Sequence, residues 1–164
     1  MEIAEDILKK YMLRCIELAK QAPDSVGKPY VGALVLSRDG ATIVGEGYRT
    51  LVEHTNYLLH AERMALEQAG QAAKGGALIT TLEPCVRIKP TQIFACCAEL
   101  IVERGIETVI IGMLGGSPSM SMGSGIAYLK AHGIVVRRYR ALNSNIQAEL
   151  MPRKPLDSLL SMRQ

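Results

Sequence analysis

Three short stretches organise this sequence: His60-Ala61-Glu62, Glu83-Pro84-Cys85 and Cys96-Cys97. Together they supply an imidazole, several thiols and a carboxylate that follows the imidazole after one intervening residue. An imidazole and two thiolates are donors of a catalytic zinc site, in which the fourth position stays open. A structural zinc site would close that position with another cysteine or histidine, and no comparable motif in the sequence supplies one. The three stretches therefore predict a catalytic zinc site.

The second thiolate must come from Cys96 or Cys97, because successive residues of a helix point about 100 degrees apart and only one of the two can face the metal. Cys97 lies on the same helical face as Leu100 and Ile101, the face expected to pack on a sheet. The pattern therefore favours Cys97 as the ligand. Cys96, like Cys15, is predicted to be a small buried apolar residue.

The pattern of apolar residues predicts alternating helices and strands around these stretches. Residues 3–20 have the spacing of an amphipathic helix, and residues 31–37 and 41–48 read as two antiparallel strands joined by an Asp-Gly turn. The segment 50–59 has no clear period. The remaining predicted elements are helices from His60 to Gly70, over 97–104 and over 123–132, and strands over 77–82, 107–113 and 134–140. This order favours a three-layer α/β domain with parallel strands in its second half, and catalytic groups are expected where strands lead into helices.

Length and composition fit one domain. The chain has 164 residues, and we expect a domain over 1–143 followed by a C-terminal helix or tail over 144–164. No apolar run reaches the roughly 18 to 20 residues of a membrane span, and the first ten residues lack the plan of a signal peptide. We therefore expect a cytoplasmic protein with free cysteines. From Arg137 onward six basic residues stand against two acidic ones, which favours a solvated, partly ordered tail over a binding arm.

Most of the chain, from Tyr11 to Tyr139, resembles the cytidine deaminase superfamily. Within it the sequence is most similar to the pyrimidine deaminase of bacterial riboflavin biosynthesis, and the long gap between Cys85 and Cys97 also fits that branch. The matching segments are residues 11–19, Val31-Gly32-Ala33, Val44-Gly45-Glu46-Gly47-Tyr48, Thr81-Leu82-Glu83-Pro84-Cys85, residues 97–106 and Ala131-His132-Gly133-Ile134. The resemblance implies a three-layer α/β/α cytidine-deaminase-like fold with a mixed five-stranded sheet. It also implies Zn²⁺ held by His60, Cys85 and Cys97, a nucleobase-type small-molecule substrate, and a homo-oligomer.

By the same resemblance, Glu62 is the proton shuttle of a hydrolytic deaminase. Zinc lowers the pKa of a bound water from about 15.7 to about 7, so hydroxide is available at neutral pH. Attack on an amidine-like ring carbon then requires a proton to move to a ring nitrogen and on to the departing ammonia, which suits an unligated carboxylate. Near the first turn of a helix, His60 can reach the metal while Glu62 points toward the substrate.

The sequence departs from the riboflavin branch where that family contacts its substrate. It has Gly27-Lys28-Pro29 in place of Pro-Asn-Pro, Val86 to Cys96 in place of a His-His-Gly-Arg-Thr-Pro-Pro segment, and residues 116–119 in place of Asp-Pro-Asn-Pro. The reaction is therefore expected to carry over, and the substrate is not. The segment between the cysteines is expected to form a pocket wall. Candidate phosphate contacts are Lys28, Arg49, Arg87 and Lys89, although each fits a solvated surface equally well.

Two other functions fit parts of the pattern. A deaminase of bases in single-stranded nucleic acid would use the basic tail, but the chain has one Phe and no Trp, so aromatic stacking platforms are scarce. A non-catalytic zinc-stabilised module would have no use for the carboxylate of Glu62. A deaminase of a pyrimidine-like base, nucleoside or nucleotide is therefore the favoured hypothesis.

Overall fold

The computed structural model describes residues 1–23, 27–51, 58–86, 94–115 and 124–152. Its helices are α1 (Glu5–Ala19), α2 (Ala61–Ala69), α3 (Cys97–Glu103), α4 (Gly125–Ala131) and α5 (Asn143–Leu150). Its strands are β1 (Gly32–Leu36), β2 (Ile43–Tyr48), β3 (Thr50–Leu51), β4 (Leu58–Leu59), β5 (Ala77–Leu82), β6 (Thr108–Met113) and β7 (Val135–Arg138). A short 3₁₀ turn, Gly70–Ala73, follows α2.

Five strands form one mixed sheet in the order β2-β1-β5-β6-β7. Strand β1 pairs antiparallel with both β2 and β5, whereas β5, β6 and β7 run parallel to one another. The predicted hairpin and the predicted parallel second half are therefore confirmed. Parallel neighbours require crossover helices, and α3 and α4 fill that role because each connects two adjacent parallel strands.

The core lies on both faces of this sheet. Along β1, Ala33 and Val35 pack into the cluster beneath α2, α3 and α4, whereas Leu34 and Leu36 pack into the cluster beneath α1 and α5. All four side chains are fully buried. Successive strand residues point to opposite faces, so a strand covered on both faces reads as a continuous apolar run. The three-layer α/β/α architecture is confirmed.

Two glycines of β2 allow α2 to lie directly against the sheet. A Cβ at Gly45 would be 2.1 Å from the Ala65 carbonyl oxygen, and one at Gly47 would be 2.3 Å from the Ala61 oxygen. Because no other residue fits this close approach, the glycines fix the distance between α2 and the sheet. The N-terminus of α2 is thereby held against the sheet, and it carries His60.

Two further regions lie outside the main sheet. Helix α5 lies where a C-terminal helix or tail was expected, but it places Ile146 and Leu150 in the core, so the expectation of a solvated segment is wrong for this part. Strands β3 and β4 form a separate two-stranded sheet within the region that showed no period. The longest described helix, α1, has 15 residues, and none of the helices in the described ranges is long and apolar enough to cross a membrane.

Candidate active site

Three element ends bring the metal-ligating side chains together. His60 is the N-cap of α2, with extended backbone angles, and so stands just before the helix. Cys85 follows the end of β5, where Pro84 removes a backbone donor and ends the strand. Cys97 is the first residue of α3. In an α/β sheet such ends meet at one edge, as the sequence pattern predicts.

The ligand atoms of these three residues form a compact cluster. The Nδ1 atom of His60 lies 3.4 Å from the sulfur of Cys85 and 3.4 Å from the sulfur of Cys97. All three ligand atoms lie within 4.8 Å of one another. In the part of the chain that the structure describes, no other group of three such residues is arranged in this way.

The cluster fits a zinc ion. Zinc–sulfur distances of about 2.3 Å and zinc–nitrogen distances of about 2.0 to 2.1 Å, at tetrahedral angles, separate a nitrogen from a sulfur ligand by about 3.5 to 3.6 Å. The two separations from His60 Nδ1 to the cysteine sulfurs, 3.4 Å each, are slightly shorter than this. One imidazole nitrogen and two thiols leave a fourth tetrahedral position open, which is the donor pattern of a catalytic site.

Hydrogen bonds hold Cys85 and favour its thiolate form. The Cys97 backbone N–H donates to the Cys85 sulfur at 3.3 Å, and the Ala98 N–H donates to the Cys85 carbonyl oxygen at 3.0 Å. The hydrogen bond from the Cys97 thiol, aided by His60, lowers the pKa of Cys85 to about 4. The same bond, together with burial, raises the pKa of Cys97. These contacts favour a thiolate at Cys85.

Cys96 lies elsewhere. Its side chain is buried in the apolar cluster beneath α3, and it caps that helix in a reciprocal arrangement in which its own N–H donates to Glu99 Oε2 at 3.1 Å. Cys97, not Cys96, reaches the ligand cluster. Cys15 is also fully buried, and its thiol lies 3.5 Å from the carbonyl oxygen of Ile79 on the other face of the sheet.

Glu62 follows His60 by two residues and lies on the first turn of α2. Only 3% of the residue is exposed, and the hydroxyl of Thr80 lies 3.3 Å from its Oε1. No Lys or Arg among the described residues forms an ion pair with it. Burial raises the pKa of Glu62, because a low-dielectric site disfavours the charged carboxylate. A carboxylate in this state is well suited to accept and release a proton.

A pocket of about 220 Å³ opens onto this cluster. Its polar and charged lining residues include Lys28, Arg49, His60, Glu62, Glu83 and Cys85. Two of the four predicted phosphate contacts, Lys28 and Arg49, therefore line the pocket. The other two, Arg87 and Lys89, lie outside the described residues, as does most of the segment expected to form a pocket wall.

Arg49 is an unusual member of this lining. It is only 4% exposed, and its two terminal nitrogens donate to the carbonyl oxygens of Pro29 at 2.7 Å and Pro23 at 3.1 Å. Its guanidinium lies 5.4 Å from the centre of the Tyr30 ring. Within the described ranges its Nε has no hydrogen-bond partner and no carboxylate pairs with it. Lys28, in contrast, is exposed.

The sequence pattern did not single out Thr80, and it used Glu83 only to define a motif. Both are buried, and each contacts the site: Thr80 through Glu62, and Glu83 as a wall of the pocket. A polar residue within an apolar strand, as for Thr80, or directly after one, as for Glu83, is the signal that could have identified them, since a buried polar group requires a partner. Of the two histidines outside the motif, His132 is exposed and forms a hydrogen bond with the Tyr128 carbonyl oxygen, whereas His54 lies outside the described residues.

Comparison with known proteins places this site in a family. Residues 5–113, more than half of the chain, match the cytidine and deoxycytidylate deaminase zinc-binding region. The chain is 40% identical over 128 residues to the diaminohydroxyphosphoribosylamino-pyrimidine deaminase of Buchnera aphidicola from Acyrthosiphon pisum, covering 77% of this chain and 80% of that protein. It is 39% identical over 132 residues to the riboflavin biosynthesis protein RibD of Aquifex aeolicus, covering 80% of this chain.

A solved structure gives the same result. A bifunctional diaminohydroxyphosphoribosylaminopyrimidine deaminase and 5-amino-6-(5-phosphoribosylamino)uracil reductase of Thermotoga maritima superposes with a TM-score of 0.74 at 33% identity, over 89% of this chain. This chain spans 40% of that protein and 34% of the Aquifex protein, but most of the Buchnera deaminase. The chain therefore belongs to the cytidine and deoxycytidylate deaminase family and is a zinc-dependent deaminase.

Proposed function

We propose that this protein hydrolytically deaminates a phosphorylated ribosylaminopyrimidine, the type of compound named for its relatives in riboflavin biosynthesis. The observation that carries the deamination chemistry is the buried carboxylate of Glu62, which lines one pocket with His60 and Cys85 of the ligand cluster, whereas the substrate class rests on the names of the relatives. In the net reaction, water adds to the ring carbon that bears the amino group. The carbon–nitrogen bond then breaks, ammonia leaves, and a ring carbonyl remains.

His60 would bind the metal through Nδ1, and Cys85 and Cys97 would bind it through their sulfurs. When bound there, zinc supplies a hydroxide nucleophile at neutral pH by lowering the pKa of water. The start of α2, the end of β5 and the start of α3 fix the positions of the three donor atoms. His60 and Cys85 both line the pocket, so a metal held by them would be accessible from it.

Glu62 moves the protons. It accepts a proton from the attacking water, delivers it to a ring nitrogen, and assists the departure of ammonia. Its burial excludes bulk water from this transfer, and Thr80 fixes one carboxylate oxygen. A metal ligand could not serve in this way, and Glu83, the other carboxylate among the described lining residues, has both oxygens occupied by backbone donors.

Recognition of the substrate phosphate is assigned to Arg49, aided by Lys28. A buried cation without a carboxylate partner is costly, and an anionic group of a ligand would compensate it. Arg49 is fixed by Pro29 and Pro23, so its remaining N–H groups are pre-organised donors. The segment between the cysteines departs from the riboflavin branch. We therefore place the phosphate contact on the part of the pocket lined by Lys28 and Arg49, with Arg87 and Lys89 as further candidates.

The test is ammonia release by the zinc-loaded protein from a panel of amino-substituted rings. The panel contains the diaminohydroxyphosphoribosylaminopyrimidine, its dephosphorylated form, cytidine and deoxycytidylate. We expect the phosphorylated ribosylaminopyrimidine to have the highest kcat/KM. A higher kcat/KM for cytidine or deoxycytidylate would contradict the substrate assignment while leaving the deaminase chemistry intact.

A further inference from the structure

We propose that Glu83 is a positioning residue that fixes the Pro84-Cys85 turn and so pre-organises Cys85 for the metal. This inference rests on the metal role that the proposed function gives to Cys85. Glu83 belongs to the Glu83-Pro84-Cys85 stretch but takes no part in the proton transfer assigned to Glu62. It is nonetheless a buried carboxylate in the wall of the same pocket, with 7% of the residue exposed.

Both carboxylate oxygens of Glu83 accept backbone hydrogen bonds from other elements. The Gly115 N–H, just after β6, donates to Oε2 at 3.0 Å. The Ile126 N–H, in the first turn of α4, donates to Oε1 at 3.1 Å. A carboxylate can be buried when each oxygen is satisfied in this way, and hydrogen bonds to a charged group are among the stronger ones. One side chain therefore ties β6 and α4 to the end of β5.

The backbone of the turn makes further contacts with the same two elements. The Glu83 N–H donates to the Met113 carbonyl oxygen at 2.9 Å. On the other side, a Cβ at Gly125 would lie 2.1 Å from the Pro84 carbonyl oxygen, so only glycine allows α4 to approach this closely. The turn is thus enclosed between β6 and α4. The Glu83 carboxylate is the group that bonds to both of them.

Cys85 is the next residue but one, and its sulfur must lie within tenths of an ångström of the position that the other donors require. The sulfur is 3.4 Å from His60 Nδ1 and accepts from the Cys97 N–H at 3.3 Å. Loss of a group that orients a ligand typically weakens metal binding about 10-fold to 100-fold. Because Glu83 acts through the backbone rather than on the sulfur, we expect a loss of about tenfold when its hydrogen bonds are broken.

Glu83→Gln tests this directly. The amide has nearly the same shape, but its NH₂ group must face a backbone N–H, so one of the two hydrogen bonds is lost. The control is Ser124→Ala, which removes the N-cap of α4 by deleting the bond from the Ala127 N–H to Ser124 Oγ at 3.0 Å. This control weakens the same helix end without touching the turn.

Zinc affinity is measured by competition with a chromophoric chelator, beside thermal unfolding of the metal-free proteins. We expect Glu83→Gln to weaken zinc binding about tenfold and Ser124→Ala to leave it within twofold. Wild-type affinity in Glu83→Gln would overturn the inference, as would an equal loss in both variants. If the wild-type protein itself bound no zinc, the proposed function would fail instead.

A second pair of variants serves if Glu83→Gln does not fold. Ile126→Pro removes the N–H that donates to Glu83, at a first-turn position where proline is tolerated, and Ile126→Ala shortens the same side chain but keeps the donor. We expect Ile126→Pro to bind zinc more weakly than Ile126→Ala, again by about tenfold. Equal affinities in this pair would overturn the inference.

Discussion

The Thr80 hydroxyl lies 3.3 Å from Oε1 of Glu62 and 3.1 Å from the carbonyl oxygen of Leu82. A hydroxyl has one proton to donate and lone pairs that accept. Thr80 can therefore donate to the Glu62 carboxylate, or it can donate to Leu82 and accept a hydrogen bond from Glu62 when that carboxyl is protonated. Under the proposed mechanism Glu62 would gain and lose a proton in each turnover, and Thr80 can form a hydrogen bond with it in both states.

Thr80→Val removes this partner and keeps the shape of the side chain. We expect kcat to fall about tenfold or more, since a hydrogen bond to a charged group contributes about 1.5 to 3 kcal/mol, while zinc content stays unchanged. The control is Thr81→Val on the same strand, where the hydroxyl accepts from the Gly32 N–H and does not contact Glu62. Equal kcat values for the two variants would mean that Thr80 has a structural role only.

The assignment of Cys97 rather than Cys96 as a metal ligand predicts different zinc contents for serine substitutions at the two positions. Cys97→Ser should lose most of the zinc, because serine is a poor substitute for a thiolate ligand and Cys97 lies in the cluster. Cys96→Ser should keep about one zinc per chain and lose only stability, since Cys96 is buried in the apolar core. Metal analysis of the purified variants decides between them, and the reverse pattern would contradict the assignment.

Arg49→Gln should weaken recognition of a phosphorylated substrate. We expect KM for the phosphorylated compound to rise about 10-fold to 150-fold, and KM for its dephosphorylated form to change much less, because a charge-assisted hydrogen bond contributes about 1.5 to 3 kcal/mol. Arg138→Gln is a matched control. Arg138 also donates to a backbone carbonyl, that of Gly112, and also has an Nε without a partner in the described part of the chain, but it is not among the residues that line the pocket. Equal effects of Arg49→Gln on both compounds would remove the phosphate contact from Arg49.

The metal-ligand motifs were readable from the sequence because they are local. His60 and Cys85 lie in short stretches beside predicted element ends, and the choice of Cys97 followed from the geometry of one helix. The contact between Thr80 and Glu62 was not readable in this way. It depends on how α2 lies across the sheet, which is set by the close approach at Gly45 and Gly47.

The C-terminal region shows why composition misleads. Its basic residues and prolines indicated a solvated tail, yet Ile146 and Leu150 are fully buried on one side of α5. Their spacing of four residues was the relevant signal, but two residues are too few to outweigh the charged surroundings. The strands β3 and β4 contain two residues each, so no period could have predicted them. The burial of Arg49 likewise depends on tertiary contacts, with the carbonyl groups of Pro23 and Pro29.

The ion pair between α1 and β2 should make stability depend on pH. Arg14 donates to both carboxylate oxygens of Glu46, at 2.9 and 2.8 Å, and these hydrogen bonds lower the pKa of Glu46 from its ordinary 4.5. The pair therefore stabilises the fold fully above about pH 4.5, and this contribution is lost as the pH falls through the lower folded-state pKa.

Glu46→Gln should reduce the free energy of unfolding at pH 7 by about 0.5 to 1 kcal/mol, the upper range for a partly exposed pair. The difference from wild type should shrink as the pH approaches 3. The control is Glu17→Gln, because Glu17 also pairs with Arg14 but through one bond of 3.2 Å and with a 68% exposed side chain. Denaturant unfolding at both pH values measures the effect, and a difference that persists unchanged at pH 3 would refute this origin.

The central claim is that Glu62 transfers protons beside a metal that it does not bind. The most direct measurement compares zinc content and ammonia release of Glu62→Gln with those of the wild-type protein, using the substrate with the highest kcat/KM. The amide is nearly isosteric and is not a ligand, so the variant should fold and hold about one zinc per chain. It should nevertheless lose about 100-fold to 10,000-fold in kcat, the range for removal of general acid–base catalysis. A zinc-loaded variant with activity within tenfold of wild type would contradict the account.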